Sequence, residues 1–588
     1  MPQKVLAGRA SDPQLKGDIV RVKVDQVILS RAPSRTLAEA LAAGLKRAIP
    51  EVSIAYDGTA VTTRANVPTD GTLSNGLPQY GVLVARPGIG FPAPVHIERF
   101  AAPARLALTD DPRLAPVGGV GMLCLVVSPT QLGQALATGS VSLRPPRSIQ
   151  IHLSGRTRPF VCARDVALEL LRRGIPEIVR RIEAEHAAPV VLEFAGPTAR
   201  MLSVGTRSVL CGIAPQVGAA AALFISDDKT EVFLRDQRRS KAHRALLPDP
   251  GAPCEEVLTI DLATVDPLVM DLDGRVRTAR ELTGQPVGQV VLGGDSGVTL
   301  RDMLAAASLL KSKRIPPRLD LLLAPPSRQV LEVLGQSGAL VDLVATGARI
   351  VEPDRRVMTG ELYPPTEEGL SMRCADPDPR MPGFRPYLVA SAETLSYAVA
   401  HGIVGDPRAF KRPARVTVPR VLPTEDVLVV RQKNKKKGPG GSVFVPPKSA
   451  PLPSWKNPTT LELAVGVPVE AVLTGAKELA VVLTELDDVR ALGDAVALGS
   501  NVRALIAPYV PSQMVSTLAA EGVACFAVEP SALGAFKGQG QLALPKIGSW
   551  GDKTPAAAGK NKVELRWLAI DQELAWLNDG RARIPAVK

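Results

Sequence analysis

The sequence predicts an α/β protein of mainly parallel sheets covered by helices, with a separate α/β domain at the C-terminal end. Three observations predict it. Short apolar runs are repeatedly followed by apolar residues at helical spacing, which is the pattern of βα units. A charged, then Pro- and Gly-rich break spans 431–458. Beyond that break the strand–helix–strand pattern resumes.

The segment SIQIHLSG, Ser148 to Gly155, is expected to be a buried strand. It leads to Ala163–Arg173, where Val166, Leu170 and Leu171 can share one helical face. VVLEFAG, Val190 to Gly196, is another strand ended by Gly and Pro. VGQVVLGG, Val287 to Gly294, enters a turn after which Thr299 opens a helix, with Asp302 three residues on at capping-box spacing. Leu300, Met303, Leu304 and Ala307 then form the stripe that packs a helix on a sheet. Leu319 to Gly335 repeats strand, turn and helix, and this alternation implies parallel sheets. After the break, Val502–Ala507, a helix near Gln513–Glu521, and Val523–Glu529 form one more βαβ-like unit.

Composition sets the limits. A chain of 588 residues exceeds one hydrophobic core and should divide into three or four domains. With 45% hydrophobic and 22% charged residues it reads as an ordinary globular protein, and at 4% aromatics its core must be mostly Val, Leu, Ala and Ile. No run approaches twenty apolar residues, and the N-terminus lacks an apolar signal-peptide core, so neither a membrane span nor secretion is expected. The six cysteines lie far apart without CxxC or CxH pairs, which points to reduced thiols in a cytoplasm. The net charge of +12 suits an anionic partner, but the basic residues are scattered, and the one dense run is Lys433 with Lys435 to Lys437.

Several segments, in order along the chain, resemble the aconitase and isopropylmalate dehydratase family. PGIG…VHIERFAAPARLALTDDPRLAPVGGVGML, Pro87 to Leu123, is similar to the family's first active-site stretch. LEFAG…SVLCGIAPQVGAAAALFISDD, Leu192 to Asp228, is similar to the EFxG…TICNMxAExGATT segment. LGGDSGVTLRDM, Leu292 to Met303, resembles IGSCTNxxxEDM. APPSRQVL and GARIVEPDRRVMTG resemble the PGSRQV and CGPCIG regions. The resemblance implies three aconitase-type α/β/α domains around a cleft (1–200, 201–317 and 318–430), a basic linker (431–458) and a swivel-like α/β domain (459–588). It also implies a [4Fe–4S] cluster on three cysteines, with one iron left open for substrate.

Carried over residue by residue, the family's chemistry is missing. The cluster cysteines fall on Asp295, Arg355 and Met358. A carboxylate, a guanidinium and a thioether cannot replace three thiolates, and Arg355 would set a fixed positive charge against iron. The acid–base histidines fall on Ala93 and Arg113, and the Asn and Glu of NMxAE on Gly212 and Gln216. Asp111 survives without its partners, and the NRNF stretch reads Asp376-Pro377-Asp378-Pro379, anions in place of carboxylate-binding cations. Dehydrating a hydroxy acid needs a Lewis acid, a base and cations for the carboxylates, so no catalytic residue is assigned. Arg328 and Arg373, with Asp111, are the candidates for residual anion binding. Cys124, Cys211 and Cys374 are read as buried hydrophobes, with a relocated cluster site as the alternative. Gly118-Gly119-Val120-Gly121 looks phosphate-friendly but matches a family turn. His96 is expected to be packed or at the surface rather than a base.

The expectation is therefore a cluster-free pseudoenzyme acting as a binding, regulatory or assembly module with a protein partner. One alternative is RNA binding, since the resemblance extends to the cluster-free iron regulatory proteins, and Arg355, Arg356 and the lysine run supply charge. The other is a lyase or isomerase of altered chemistry, with a metal held by Asp57, Asp111 and Asp295.

Overall fold

The computed structural model describes residues 1–57, 72–365, 367–377, 386–425, 427–430, 455–466 and 477–578. The expected units form where their periodicity places them. The run read at Ser148 is the strand Arg147–Ser154, followed by the helix Ala163–Arg172. The strand Val287–Gly293 is buried at every residue, as parallel strands covered on both faces are. Thr299 and Asp302 do form the capping box: the Thr299 hydroxyl accepts from Asp302 N at 3.2 Å, and the Asp302 carboxylate accepts from Thr299 N at 2.9 Å.

The strands assemble into three parallel-rich sheets, a closed barrel and a small antiparallel pair. The first sheet runs 83–85, 52–56, 26–29, 106–109 and 123–126 in parallel, with Val429–Val430 added antiparallel at one edge. The second is wholly parallel, in the order 221–224, 190–195, 147–154 and 256–261. The third has a parallel centre of 388–390, 370–373, 287–293, 320–324 and 349–350, with two antiparallel strands at one side.

Expected borders at 200 and 317 fall between strands that pair: 190–195 lies beside 221–224, and 287–293 beside 320–324. The sheets instead change near 145 and near 265. The cause is general to parallel sheets, which recruit a strand from each side of a crossover.

The C-terminal part is more than the expected βαβ-like unit. Strands 459–465, 479–482, 502–507 and 524–527 run parallel, and 561–567, 554–558 and 541–544 return antiparallel to close a seven-stranded barrel. Trp455, expected inside the linker, is buried in the barrel core against Trp550. Residues 431–454 of that linker, which include the lysine run, lie outside the described residues.

This arrangement positions the site. Loops leaving the C-terminal ends of strands 26–29, 106–109, 287–293 and 370–373 carry Arg31, Asp110 with Asp111, Asp295 and Asp376 to one region, where the crevice of an open α/β sheet lies.

Candidate functional site

The charged residues brought to that region neutralise one another. Arg113 grips Asp295 with two nitrogens, one at 2.8 Å, and donates a third bond to the Asp376 carbonyl at 3.2 Å. Asp376 takes Arg164 at 2.5 and 3.2 Å and the Ser296 hydroxyl at 3.1 Å. Asp111 accepts from the Arg31 guanidinium at 3.0 Å, the Ser30 hydroxyl at 2.8 Å and the Arg113 amide at 3.0 Å. Burial opposes its ionisation, but Arg31, Arg355 and these hydrogen bonds outweigh it and hold its carboxyl below the ordinary range. Arg31 reaches on to Asp494 of the barrel unit. Asp110 accepts three amides, from Ser30, Arg31 and Ala32, yet burial pushes its carboxyl up.

The three positions that resemblance gives to cluster ligands hold no set of donors. Asp295 belongs to Arg113. Met358 is 1% exposed and packs with Phe91, Val291, Leu322 and Ala375. A Cβ on Gly294 would stand 2.5 Å from the Met358 sulfur, so the turn needs glycine and the thioether fills the space beside it. Arg355 lends its charge to Asp111. A [4Fe–4S] cluster requires convergent thiolates. Cys211, Cys374 and Cys124 lie in three different hydrophobic cores, and burial pushes all three thiols up, Cys374 and Cys124 to about 12. Buried in separate cores, these residues do not fit the cluster.

Ala93 is buried core on the helix Pro92–Arg99. Gln216 is half-buried, and its amide nitrogen finds no hydrogen-bond partner among the described residues. Arg373 does not keep an anion site. All five of its N–H groups are engaged: by Ser371 Oγ, by the Val357 and Met358 carbonyls at 2.5 and 3.0 Å, by Gln289 Oε1 at 3.0 Å and by the Tyr363 carbonyl at 3.3 Å. Tyr387 stacks on its guanidinium at 4.7 Å. Arg328 is exposed at the start of the helix Arg328–Gln336, away from this constellation, in a groove with Glu98, Arg99 and Glu332.

Asp57, Asp111 and Asp295 do not gather as metal ligands, and no trio of His, Cys, Asp or Glu does so among the described residues. Asp378 and Pro379 lie outside the described residues. The Gly118–Gly119 turn is a packing contact, since added Cβ atoms would meet the Ala222 carbonyl at 1.9 Å and the Ser208 amide at 2.4 Å. His96 is fully buried between Tyr56 OH at 3.2 Å and Gln26 Oε1 at 2.8 Å. Desolvation and Arg239 hold it down to about 3, so it stays neutral.

What remains of the crevice between this region and the barrel is a cavity of about 120 Å³, lined by Thr109, Asp110, Cys124, Asp494, Gln513 and Met514. Small-molecule sites generally span about 300–1,000 Å³. Sequence reasoning missed Arg31, Arg164 and Asp494, the partners that complete the pairing. Arg164 carried the one available signal, a charge in the first turn of a helix on a face otherwise apolar.

Among the described residues no helix is long and apolar enough to cross a membrane. The model of the aconitase family (aconitate hydratase) matches residues 61–275. The 3-isopropylmalate dehydratase large subunit 2 of Archaeoglobus fulgidus is 25% identical over 424 residues, covering 69% of this chain and 98% of its own length. The homoaconitase large subunit of Thermus thermophilus is 28% identical over 362 residues, covering 60% of this chain and 83% of its own. The 3-isopropylmalate dehydratase large subunit 1 of Thermotoga maritima is 28% identical over 341 residues, with 56% and 79% covered. Motif order, sheet architecture and these relatives agree in likening the chain to the aconitase and 3-isopropylmalate dehydratase family.

Proposed function

We propose that this chain is a non-catalytic member of its family, without the iron–sulfur cluster, that serves in the cytoplasm as a binding, regulatory or assembly module for a protein partner. The observation that carries this reading is the Arg113–Asp295 pair. Two positions that the family resemblance gives to an acid–base histidine and a cluster cysteine are occupied by opposite charges that bind each other. A group so paired can neither ligate iron nor move a proton on a substrate. The filling of the remaining space by Met358 and the small cavity beside Asp110 support the same conclusion.

The test is iron and acid-labile sulfide per chain on protein purified anaerobically from its own host, together with cis-aconitate hydration. Essentially no iron and no turnover are expected. Near four of each per chain, or robust hydration, would overturn the proposal. The metal-dependent lyase reading loses its ligands to Arg31 and Arg113, and no structural observation favours the RNA reading.

A further inference from the structure

The interface between the barrel unit and the three-sheet body carries an unusual division of labour at helix ends. The first turn of a helix leaves amides without intrahelical partners, and the last turn leaves carbonyls. The barrel-unit helix Ser512–Ala520 begins after Pro511, which offers no side-chain cap. Its first amide, Ser512 N, is instead taken at 3.0 Å by the carboxylate of Glu183, from the body helix Ile175–His186. The same carboxylate accepts the Tyr509 hydroxyl at 2.7 Å.

The reverse also holds. The body helix Pro129–Thr138 has its own Ser128–Gln131 capping box, and its remaining Thr130 amide is taken at 3.2 Å by Glu521, which sits at the C-cap of the barrel-unit helix. The last turn of the barrel-unit helix Leu486–Leu498 offers its Val496 and Ala497 carbonyls to body residue Arg35, at 2.6 and 3.1 Å, and Arg35 also pairs with Glu521. A cation at a helix C-terminus is the favourable sense of the dipole, as an anion is at an N-terminus.

Two further contacts fix one geometry. Arg144 of the body meets Glu573 with two nitrogens, one at 2.8 Å, and the two side chains are 2% and 0% exposed. Glu573 also accepts from Ser516 and from Ile570 N. Gln513 donates to the Val126 carbonyl at 2.7 Å, at the end of a body strand. A buried pair of this kind adds little net stability but strongly penalises any arrangement that strands one partner.

We infer that the barrel unit is latched to the body as one obligate docked assembly, each part supplying hydrogen-bond partners to the end groups of the other's helices, so that the barrel does not swing as a separate body. The inference stands apart from the non-catalytic reading, since a latched protein could be active or inactive.

Hydrogen exchange on the full chain tests it. Peptides covering 128–132 and 509–516 should exchange within about ten-fold of the barrel strand 502–507. Exchange of both at least 100-fold faster than that strand would show the units separating freely and would overturn the latch. In Glu183→Ala, both peptides should accelerate by at least ten-fold, although only 509–516 touches Glu183. Acceleration confined to 509–516 would reduce Glu183 to a local cap and also overturn it. Because all four tryptophans (Trp455, Trp550, Trp567 and Trp576) lie in the barrel unit, their fluorescence follows that unit alone. In the unaltered chain the fluorescence and far-UV transitions in urea should coincide, and separate transitions would count against the latch.

Discussion

Replacing Arg113 by Met would leave Asp295 as a buried carboxylate without a partner. Arg113 and Asp295 are 10% and 5% exposed, and no other hydrogen bond to the Asp295 carboxylate is present among the described contacts. Removing one member of such a pair costs about 3–5 kcal/mol, most of it the desolvation of the abandoned charge. With a urea slope of about 2–3 kcal/mol/M, the far-UV midpoint should fall by about 1–2 M. The stranded carboxylate would escape by taking up a proton, so the loss should be larger at pH 8 than at pH 5. Replacing both partners, Arg113→Met with Asp295→Leu, removes the charges together and should restore the midpoint to within about 0.5 M, since apolar replacement of a buried pair is near neutral. A single variant within 0.3 M of the unaltered protein, or a double variant worse than the single, would refute the claim that this pair seals the former site.

Three further outcomes follow from the same physical reading. Burial pushes Glu98, Glu183 and Glu393 each up to about 7, so between pH 4.5 and 7 the folded chain holds protons that the unfolded chain releases, and stability falls as pH rises. Each shift corresponds to about 3 kcal/mol, and His96 opposes it only below its unfolded value of 6.5, so the urea midpoint should be higher at pH 5.5 than at pH 8. Alkylation of native protein at pH 8, read by mass spectrometry, should label Cys254 ahead of the buried Cys124, Cys162, Cys211, Cys374 and Cys525. Citrate or phosphate should leave the melting temperature unchanged, because Arg373 has no free donor; Arg373→Met should cost at least about 3 kcal/mol by orphaning buried carbonyls.

Much of the α/β frame was legible because its signals are local. The Thr299–Asp302 cap and the apolar stripe behind it need only a few neighbouring residues to be read. The borders at 200 and 317 failed because pairing of 191 with 221, or 289 with 320, leaves no trace at the crossover between them. Barrel closure escaped for a similar reason: strands such as Gln541–Leu544 are four residues long, and their partners are set by return geometry. The candidate site was legible only through the resemblance, which sets Asp295 where the family has Cys and Arg113 where it has His. That these two losses form one pair, across 182 residues, is a long-range fact that single positions cannot reveal. Arg373, a candidate for residual anion binding, could be weighed from sequence only as ligand group or structural arginine, and its donors are spent on Ser371, Gln289 and its own backbone surroundings.

The reciprocal caps impose an order on synthesis. Arg144 and its carboxylate partner are separated by 429 residues, so at about 5–20 residues per second the arginine waits roughly 20–90 s on the ribosome before Glu573 is made. Thr130, 391 residues before Glu521, waits almost as long, and Arg35, 486 residues before it, waits longer. During that interval the body is a nascent intermediate whose Arg35 and Arg144 lack their barrel-unit carboxylates. A chain cut short before residue 512 would keep that form permanently, so truncation products should be recognised and degraded at the docking face rather than in the sheets.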